Sequence, residues 1–305
     1  MRGLLIFLLS FSAFASNDCD YHFSASNATI QILNASQVIQ QGMTLYRGQN
    51  SPTGLCRNYR VFFSKGLANS YQRKAFSLFS GSINYNLHSN INQSGILKDF
   101  TDALTSAEFV EGQAPDKNTT YSNRFYVSIP GVSNGTVKSG TFVDTVQISI
   151  YGYNENSGKY LFEETLGLTL LFVVPKIVQI SVVDEGGEFN ENSTTKVLDF
   201  GILAKGQEKG ADLRVVSNSS YKLNVTSLNG GVLKQSGGST IKYTMKVNGA
   251  GVQLPAGGSQ TFLGSGDETN SAGDRFNLSF QITDSTVNLP AGLYQDNLTI
   301  TATAN

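Results

Sequence analysis

The residues of this chain that most often carry chemistry are few and widely spaced. Its only cysteines are Cys19 and Cys56, and its only histidines are His22 and His88. A metal site needs several Cys, His or acidic ligands at short spacings, and acid–base catalysis by His needs a nearby partner. The sequence shows neither arrangement, so we predict no metal site, no cofactor and no catalytic residue.

Two other motifs are equally weak signs of chemistry. Asp184, Glu185 and Glu188 form an acidic cluster, but it lacks the regular Asp spacing of a calcium loop and is more typical of a solvated loop. The run Gly264-Ser265-Gly266 lies among turn residues with no helix after it, and no Gly-x-Ser-x-Gly elbow occurs. We therefore expect a protein that is not an enzyme.

The N-terminus predicts export. Arg2 is followed by an apolar run from Leu4 to Phe14, and Ala13-Phe14-Ala15 is typical of a signal-peptidase site, so residues 1–15 are predicted to be a signal peptide. The apolar run is too short to be retained as a membrane-spanning helix. In an oxidising compartment Cys19 and Cys56 are expected to form a disulfide, which would stabilise the chain by about 3–4 kcal/mol.

Composition indicates β-sheet. Charged residues make up 15% of the chain, there are 31 Gly, 19 Phe and 13 Tyr, and segments such as Val143–Ile150 alternate apolar with polar residues. A net charge of −1 argues against a nucleic-acid partner. About 290 residues remain after the signal peptide, enough for two domains.

The two halves of the chain repeat one pattern. Gly140–Ile148 and Gly292–Ile300 share a Gly, an aromatic residue, an Asp and two aliphatic residues at the same spacing. Upstream, Tyr59 matches Tyr221 and Tyr85 matches Tyr243, in the same order. A duplicated domain is the economical explanation. We predict an all-β protein of two immunoglobulin-like sandwiches, 16–174 and 175–305, divided at Pro175.

The two copies differ after the shared strand. In the first, the chain continues into an apolar strand from Tyr160 to Val174; in the second, the sequence reaches Asn305 without one. We expect the second sandwich to lack its final strand and to expose an apolar groove, which an extended segment of another chain would fill. The groove is predicted to be lined by Val178, Ile180, Val182, Leu298, Ile300 and Ala302.

Three motifs carry a resemblance to a known family. Pro290–Ile300, Leu198–Gly201 and Ser217–Tyr221 resemble the spore-coat-U type domain of archaic chaperone–usher pili, and the whole chain resembles their two-domain tip adhesin. The resemblance implies a periplasmic chaperone, an outer-membrane usher and an adjacent pilin that donates an N-terminal strand. It also implies export through the periplasm and display at the pilus tip.

Only Ser16, Asn17 and Asp18 precede Cys19 after the predicted cleavage. A donor strand needs about ten residues, so a subunit that accepts but cannot donate is expected at the tip. We therefore predict an adhesin that attaches to host or abiotic surfaces and promotes biofilm formation. The alternatives are a coat or pilus shaft subunit without a recognition role and, less favoured, a secreted enzyme.

The attachment surface is predicted on the first domain, on loops at the end opposite its exit towards the second domain. Hydrophobic contact there competes with two other interpretations, a plug for the end of the sandwich and a polar glycan pocket. The candidate residues lie after the Tyr59 strand and in the insertion from Ile96 to Gly112: Leu67, Tyr71, Phe76, Leu78, Phe79, Phe100, Leu104 and Phe109.

Overall fold

The computed structural model describes residues 19–23, 27–31, 37–51, 55–129 and 137–305, and only the backbone of 27–30. The predicted signal peptide lies outside these ranges. The described residues form twenty β-strands and one 3₁₀ turn, Ser106–Glu108, which confirms the all-β prediction. None of their elements is a helix long and apolar enough to cross a membrane.

The chain divides into two compact units. Thr141–Val173 belongs to the first unit and Val174–Asn305 to the second, so the change falls next to Pro175.

The first unit is a sandwich of two sheets. One sheet has the strand order β1-β3-β9-β7; the other has the order β2-β11-β10-β4-β8, with the β5–β6 hairpin attached to β10. The strands are β1 Tyr21–Phe23, β2 Asn27–Gln31, β3 Gln37–Arg47, β4 Asn58–Phe63, β5 Lys74–Ser77, β6 Gly81–Asn84, β7 Asn86–His88, β8 Val110–Gln113, β9 Thr119–Ile129, β10 Gly140–Asn154 and β11 Lys159–Val174.

The alternation of buried and exposed side chains along the strands places the core between the two sheets. In β10, Phe142, Val146 and Ile148 are buried while Thr145 and Gln147 are exposed, because successive side chains of a strand point to opposite faces. The same period in β11 buries Leu168, Leu170, Phe172 and Val174.

One end of the first unit, called here the disulfide end, is held by the predicted Cys19–Cys56 disulfide. The bond is present, both cysteines are fully buried, and their Cα atoms are 5.4 Å apart. The buried carboxylate of Glu163 accepts the Cys19 N–H at 3.0 Å, and the Arg47 guanidinium donates to the Leu55 carbonyl at 2.6 Å. These bonds fix loops that contain no regular structure.

The second unit is also a two-sheet sandwich, with the orders β12-β13-β19-β16-β15 and β18-β14-β20; β17 pairs with β16. Its core cluster includes Leu213, Leu223, Ile241 and Phe280. The strands are β12 Val178–Val183, β13 Glu208–Ser217, β14 Tyr221–Ser227, β15 Val232–Lys234, β16 Thr240–Val247, β17 Ala250–Val252, β18 Ser259–Gly266, β19 Asp274–Ile282 and β20 Leu298–Ala304.

Candidate functional site

One tyrosine–aspartate hydrogen bond recurs at the same place in both units and supports the internal repeat. The Tyr85 hydroxyl donates to Asp144 Oδ2 at 2.5 Å, and the Tyr243 hydroxyl donates to Asp296 Oδ2 at 2.6 Å. Burial, together with the neighbouring carboxylate, raises the pKa of both phenols, so each remains a donor at neutral pH. Four residues that the sequence matched in pairs therefore play the same part in both units.

Strand register extends this equivalence along the chain. β4 pairs with β10 so that Tyr59 lies opposite Gly152, and β14 pairs with β20 so that Tyr221 lies opposite Ala304. Gly152 follows Asp144, and Ala304 follows Asp296, by the same number of residues. β20 is therefore the counterpart of β10, residue for residue.

The two counterparts differ in burial. In β10 the three inward residues after the aspartate, Val146, Ile148 and Ile150, are at most 1% exposed. Their equivalents in β20 are Leu298, Ile300 and Ala302, which pack on the core but are only partly buried. β10 lies between β4 and β11, whereas β20 is the last strand of its sheet, paired with β14 alone in the described residues. The groove that the sequence predicts would lie along this edge.

β12 is the second strand that the sequence predicts to line the groove. β12 is the edge of its own sheet, and Val178, Ile180 and Val182 pack, partly buried, against the same core cluster as Ile300. The predicted groove residues thus lie on two edge strands of one sandwich.

Leu198 and Phe200 belong to this surface, although sequence reasoning did not assign them to it. They come after β12 in a stretch outside the strands and pack, partly buried, on the same core. In the first unit the segment after β1 is β2, which pairs in parallel with β11. The stretch around Leu198 occupies the same place in the chain order. The alternation Leu198-Asp199-Phe200 was the signal that could have found it.

Six of the eight predicted attachment residues are exposed, and the other two, Tyr71 and Phe109, are not. Leu78 and Phe79 lie in the turn between β5 and β6 and are 94% and 92% exposed. Leu67 and Leu104 are also largely exposed, and Phe76 and Phe100 are about half exposed. These six residues are accessible. The turn with Leu78 and Phe79 is called here the apolar hairpin tip.

The prediction that Phe109 lies on the surface is wrong. It is 7% exposed, packs on Phe62 with ring centroids 5.3 Å apart, and is covered by the Arg60 guanidinium. The insertion folds back over the outer face of β4 because Phe62 points outwards there and needs cover. Phe100 takes part in this packing, stacked on Tyr151 at 4.3 Å.

Tyr71 is a structural residue of the loop after β4. Its ring is partly buried, and its hydroxyl donates to Asp102 Oδ2 at 2.9 Å and accepts the Asp99 N–H at 2.9 Å. These bonds tie the loop after β4 to the insertion. The role predicted for Tyr71 in direct surface contact therefore competes with a positioning role.

The prediction that these loops lie at the end opposite the exit of the chain is wrong for the loop after β4. β4 and β11 both flank β10 and run against it, so they run in the same direction. The loop after β4 consequently lies at the end of the first unit where β11 finishes at Val174. Leu67 confirms this, since its N–H bonds to Asp144 near the start of β10, at 2.8 Å. The β10–β11 turn is at the disulfide end.

Two ion pairs hold the insertion in place. Lys65 Nζ is 3.0 Å from Asp102 Oδ2, and Lys98 Nζ is 2.6 Å from Glu108 Oε1. Glu108 also accepts the Leu104 N–H at 2.6 Å. The hydrogen bonds from Lys65 and Lys98 hold the pKa of Asp102 and of Glu108 below their usual range.

We expect this arrangement to loosen in acid. A carboxylate whose pKa is lower in the folded than in the unfolded state stabilises the fold above its unfolded pKa, near 4, and loses that contribution as the pH falls through the folded value. The Leu104 amide resonance should therefore move towards its unfolded position as the pH is lowered from about 7 to about 3. Glu108→Gln should shift it already at neutral pH; an unchanged resonance in both experiments would contradict the assignment.

The two histidines and the acidic cluster do not form a metal-binding group. The His88 ring bonds to Ser128 Oγ and to the Gly95 carbonyl, and burial lowers its pKa; His22 pairs with Asp20. No group of three or more His, Cys, Asp or Glu side chains that could hold a metal occurs among the described residues.

Comparison with known proteins finds likeness in structure alone. No family model matches the chain, and no curated protein matches it. The Acinetobacter baumannii CsuC–CsuE chaperone–tip adhesion subunit complex of archaic Csu pili is similar, at 15% identity over 92% of this chain and 99% of that chain, with a TM-score of 0.49.

Two further solved structures show a looser likeness. They are the CupB6 tip adhesin of Pseudomonas aeruginosa (9% identity, 92% of this chain and 94% of that chain, TM-score 0.41) and CfaE, the adhesive subunit of CFA/I fimbria of Escherichia coli (13%, 91% and 92%, 0.38). The printed descriptions of these three structures thus name one tip adhesion subunit of an archaic chaperone–usher pilus, one tip adhesin and one adhesive fimbrial subunit.

Proposed function

We propose that this chain is an adhesive subunit of a chaperone–usher pilus whose second unit accepts a strand from another polypeptide. The observation that carries the proposal is the partial burial of Leu298, Ile300 and Ala302, whose equivalents in the first unit are buried. Burying a large aliphatic side chain fully contributes about 1.5–3 kcal/mol. A strand in which every second residue is apolar would therefore bind in the groove by completing the core of the second unit.

The proposal implies partners that supply such a strand. A periplasmic chaperone would occupy the groove before assembly at an outer-membrane usher, and the N-terminal segment of an adjacent pilin would occupy it in the pilus. Exported subunits with an open apolar groove need this protection, because unpaired edges with apolar flanks aggregate.

Supplying the strand within the chain tests the acceptor role. A copy of Thr165–Val174 joined to Asn305 by a flexible linker should raise the melting temperature of the second unit and slow hydrogen exchange in β20. The matched control carries the same residues in an order that puts polar side chains on the inward face. Equal stability of the two variants would contradict the proposed acceptor role.

For attachment we propose hydrophobic contact by the apolar hairpin tip. Leu78 and Phe79 are adjacent, almost fully exposed and flanked by Ser77 and Ser80. Two adjacent exposed apolar side chains present apolar area to a flat or soft apolar surface. Biofilm formation would follow when the apolar hairpin tip attaches to abiotic or host surfaces.

Replacing the tip should separate attachment from folding. In Leu78→Ser/Phe79→Ser we expect attachment of pili to a polystyrene surface to fall strongly, while stability changes by no more than about 0.5 kcal/mol, since both side chains are exposed. Leu228→Ser/Val287→Ser removes two largely exposed apolar side chains from the second unit, outside the stretch around Leu198, and should leave attachment intact. Undiminished attachment in the first variant would favour a structural subunit.

A further inference from the structure

Arg60 lies on the outer face of β4, where the protein holds its guanidinium but does not use its donors. The guanidinium carbon is 4.3 Å from the centroid of the Phe109 ring and 4.2 Å from that of Tyr160. Glu111 Oε2 is 3.5 Å from Nε, too far for a good hydrogen bond. In the part of the chain that the structure describes, the guanidinium makes no hydrogen bond, and Nε is buried without a partner. The five N–H donors of this cation are therefore available to a ligand.

Three tyrosine hydroxyls near Arg60 are also unused. Tyr151 lies opposite Arg60 in the pairing of β10 with β4, and Tyr153 packs on Tyr160 with ring centroids 5.0 Å apart. All four side chains are partly exposed, and none of the three hydroxyls bonds to another described residue. Burial raises the pKa of Tyr151 and of Tyr160, so both hydroxyls remain donors at neutral pH. Arg60, Tyr151, Tyr153 and Tyr160 are called here the arginine–tyrosine patch.

The groups on this face indicate the class of ligand. Phe162 adds an exposed apolar ring, since it packs on Tyr151 at 5.6 Å and is 37% exposed. A sugar has both apolar C–H faces, which pack on aromatic rings, and hydroxyls, which bond to tyrosines. The forked donors of a guanidinium match the two oxygens of a carboxylate. A neutral sugar would leave Arg60 unpaired, and an acidic peptide would lack the sugar ring, so a sugar that carries a carboxylate fits best.

We propose that the arginine–tyrosine patch binds a carboxylate-bearing sugar of an acidic polysaccharide, with the carboxylate on Arg60, the sugar hydroxyls on the tyrosines and the ring against Phe162. The patch lies on the outer face of a sheet and shares no residue with the apolar hairpin tip. It gives the first unit a second kind of contact, independent of hydrophobic attachment. Glu111 opposes this ligand, because its carboxylate competes for the same guanidinium.

Three matched ligands test the chemistry on the full chain by isothermal titration calorimetry. The probes are hexagalacturonate, its fully methyl-esterified form, which keeps the rings but not the charges, and hexaglutamate, which keeps the charges but not the rings. We expect each of the last two to bind at least about tenfold more weakly than hexagalacturonate. Equal binding of the ester or of hexaglutamate would overturn the proposal, as would no binding of hexagalacturonate.

Variants of the chain attribute the binding to Arg60. Arg60→Lys keeps the charge but loses the fork, so binding of hexagalacturonate should weaken about tenfold while attachment to polystyrene is unchanged. The matched control is Arg124→Lys, which changes an exposed arginine of β9 in the other sheet and should have no effect. Equal binding of these two variants would overturn the proposal.

Glu111→Gln tests the same placement in the opposite direction. It removes the competing carboxylate from an exposed position, so binding of hexagalacturonate should strengthen about threefold, the range for one exposed charge pair. An unchanged melting temperature shows that the variant is folded. Unchanged or weaker binding would place the ligand away from Arg60 and overturn the proposal.

Discussion

Asp144→Ala should lower the free energy of unfolding of the first unit by about 3–5 kcal/mol, the range for breaking a buried charged network. Asp144 is fully buried and accepts three hydrogen bonds, from the Tyr85 hydroxyl and from the N–H groups of Leu67 and Thr145. Alanine would leave the buried Tyr85 hydroxyl without this acceptor and release the loop after β4. Urea unfolding followed by hydrogen exchange in β4 and β10 measures the loss.

The repeat supplies matched controls for this prediction. Asp296→Ala breaks the same motif at a partly buried carboxylate, so we expect a smaller loss, confined to the second unit. Tyr85→Phe removes one hydrogen bond while keeping the ring and should cost about 1 kcal/mol. If Asp144→Ala were as mild as Tyr85→Phe, the aspartate would not be the anchor of the loop.

Removing the disulfide should have a similarly large effect, limited to the first unit. Cys19→Ser/Cys56→Ser opens a loop with a sequence separation of 37, which should cost about 3–4 kcal/mol in the chain-entropy model. The loops that the disulfide joins contain no regular β-structure. Their other hydrogen bonds include those to Glu163 and from Arg47. Calorimetry with and without reductant measures the change.

The second unit is the internal control for this experiment, because the chain has no cysteine beyond Cys56. Its melting transition should not move with reductant. A shift of both transitions together would show that the units unfold cooperatively, and an unmoved first transition would contradict the stabilising role given to the bond.

Much of the architecture could be predicted because it depends on local signals. Alternation in β10 identified a strand with one buried face, and the matched Tyr85–Asp144 and Tyr243–Asp296 pairs gave the repeat that the hydrogen bonds confirm. The disulfide could be predicted from export and from the count of two cysteines. These properties follow from residue type and spacing alone.

The placement of the proposed attachment loops was predicted less well, because it depends on packing between distant segments. The sequence around Phe109 is typical of an exposed loop. Phe62, however, points out of β4, and the insertion packs over it against the sheet. The end of the sandwich at which the loop after β4 lies is decided by the direction of β4 against β10. No local pattern encodes either fact.

The sequence by itself thus determined that the chain is all-β, duplicated and cross-linked once, and it located the strands that differ between the copies. Only the tertiary structure decided which apolar residues are covered: Val146 is buried by its neighbours, whereas its equivalent Leu298 is not, although both have the same local pattern. The physical reason is that burial depends on the strand alongside. β10 has β11 on its second edge, whereas the second edge of β20 is free in the described residues.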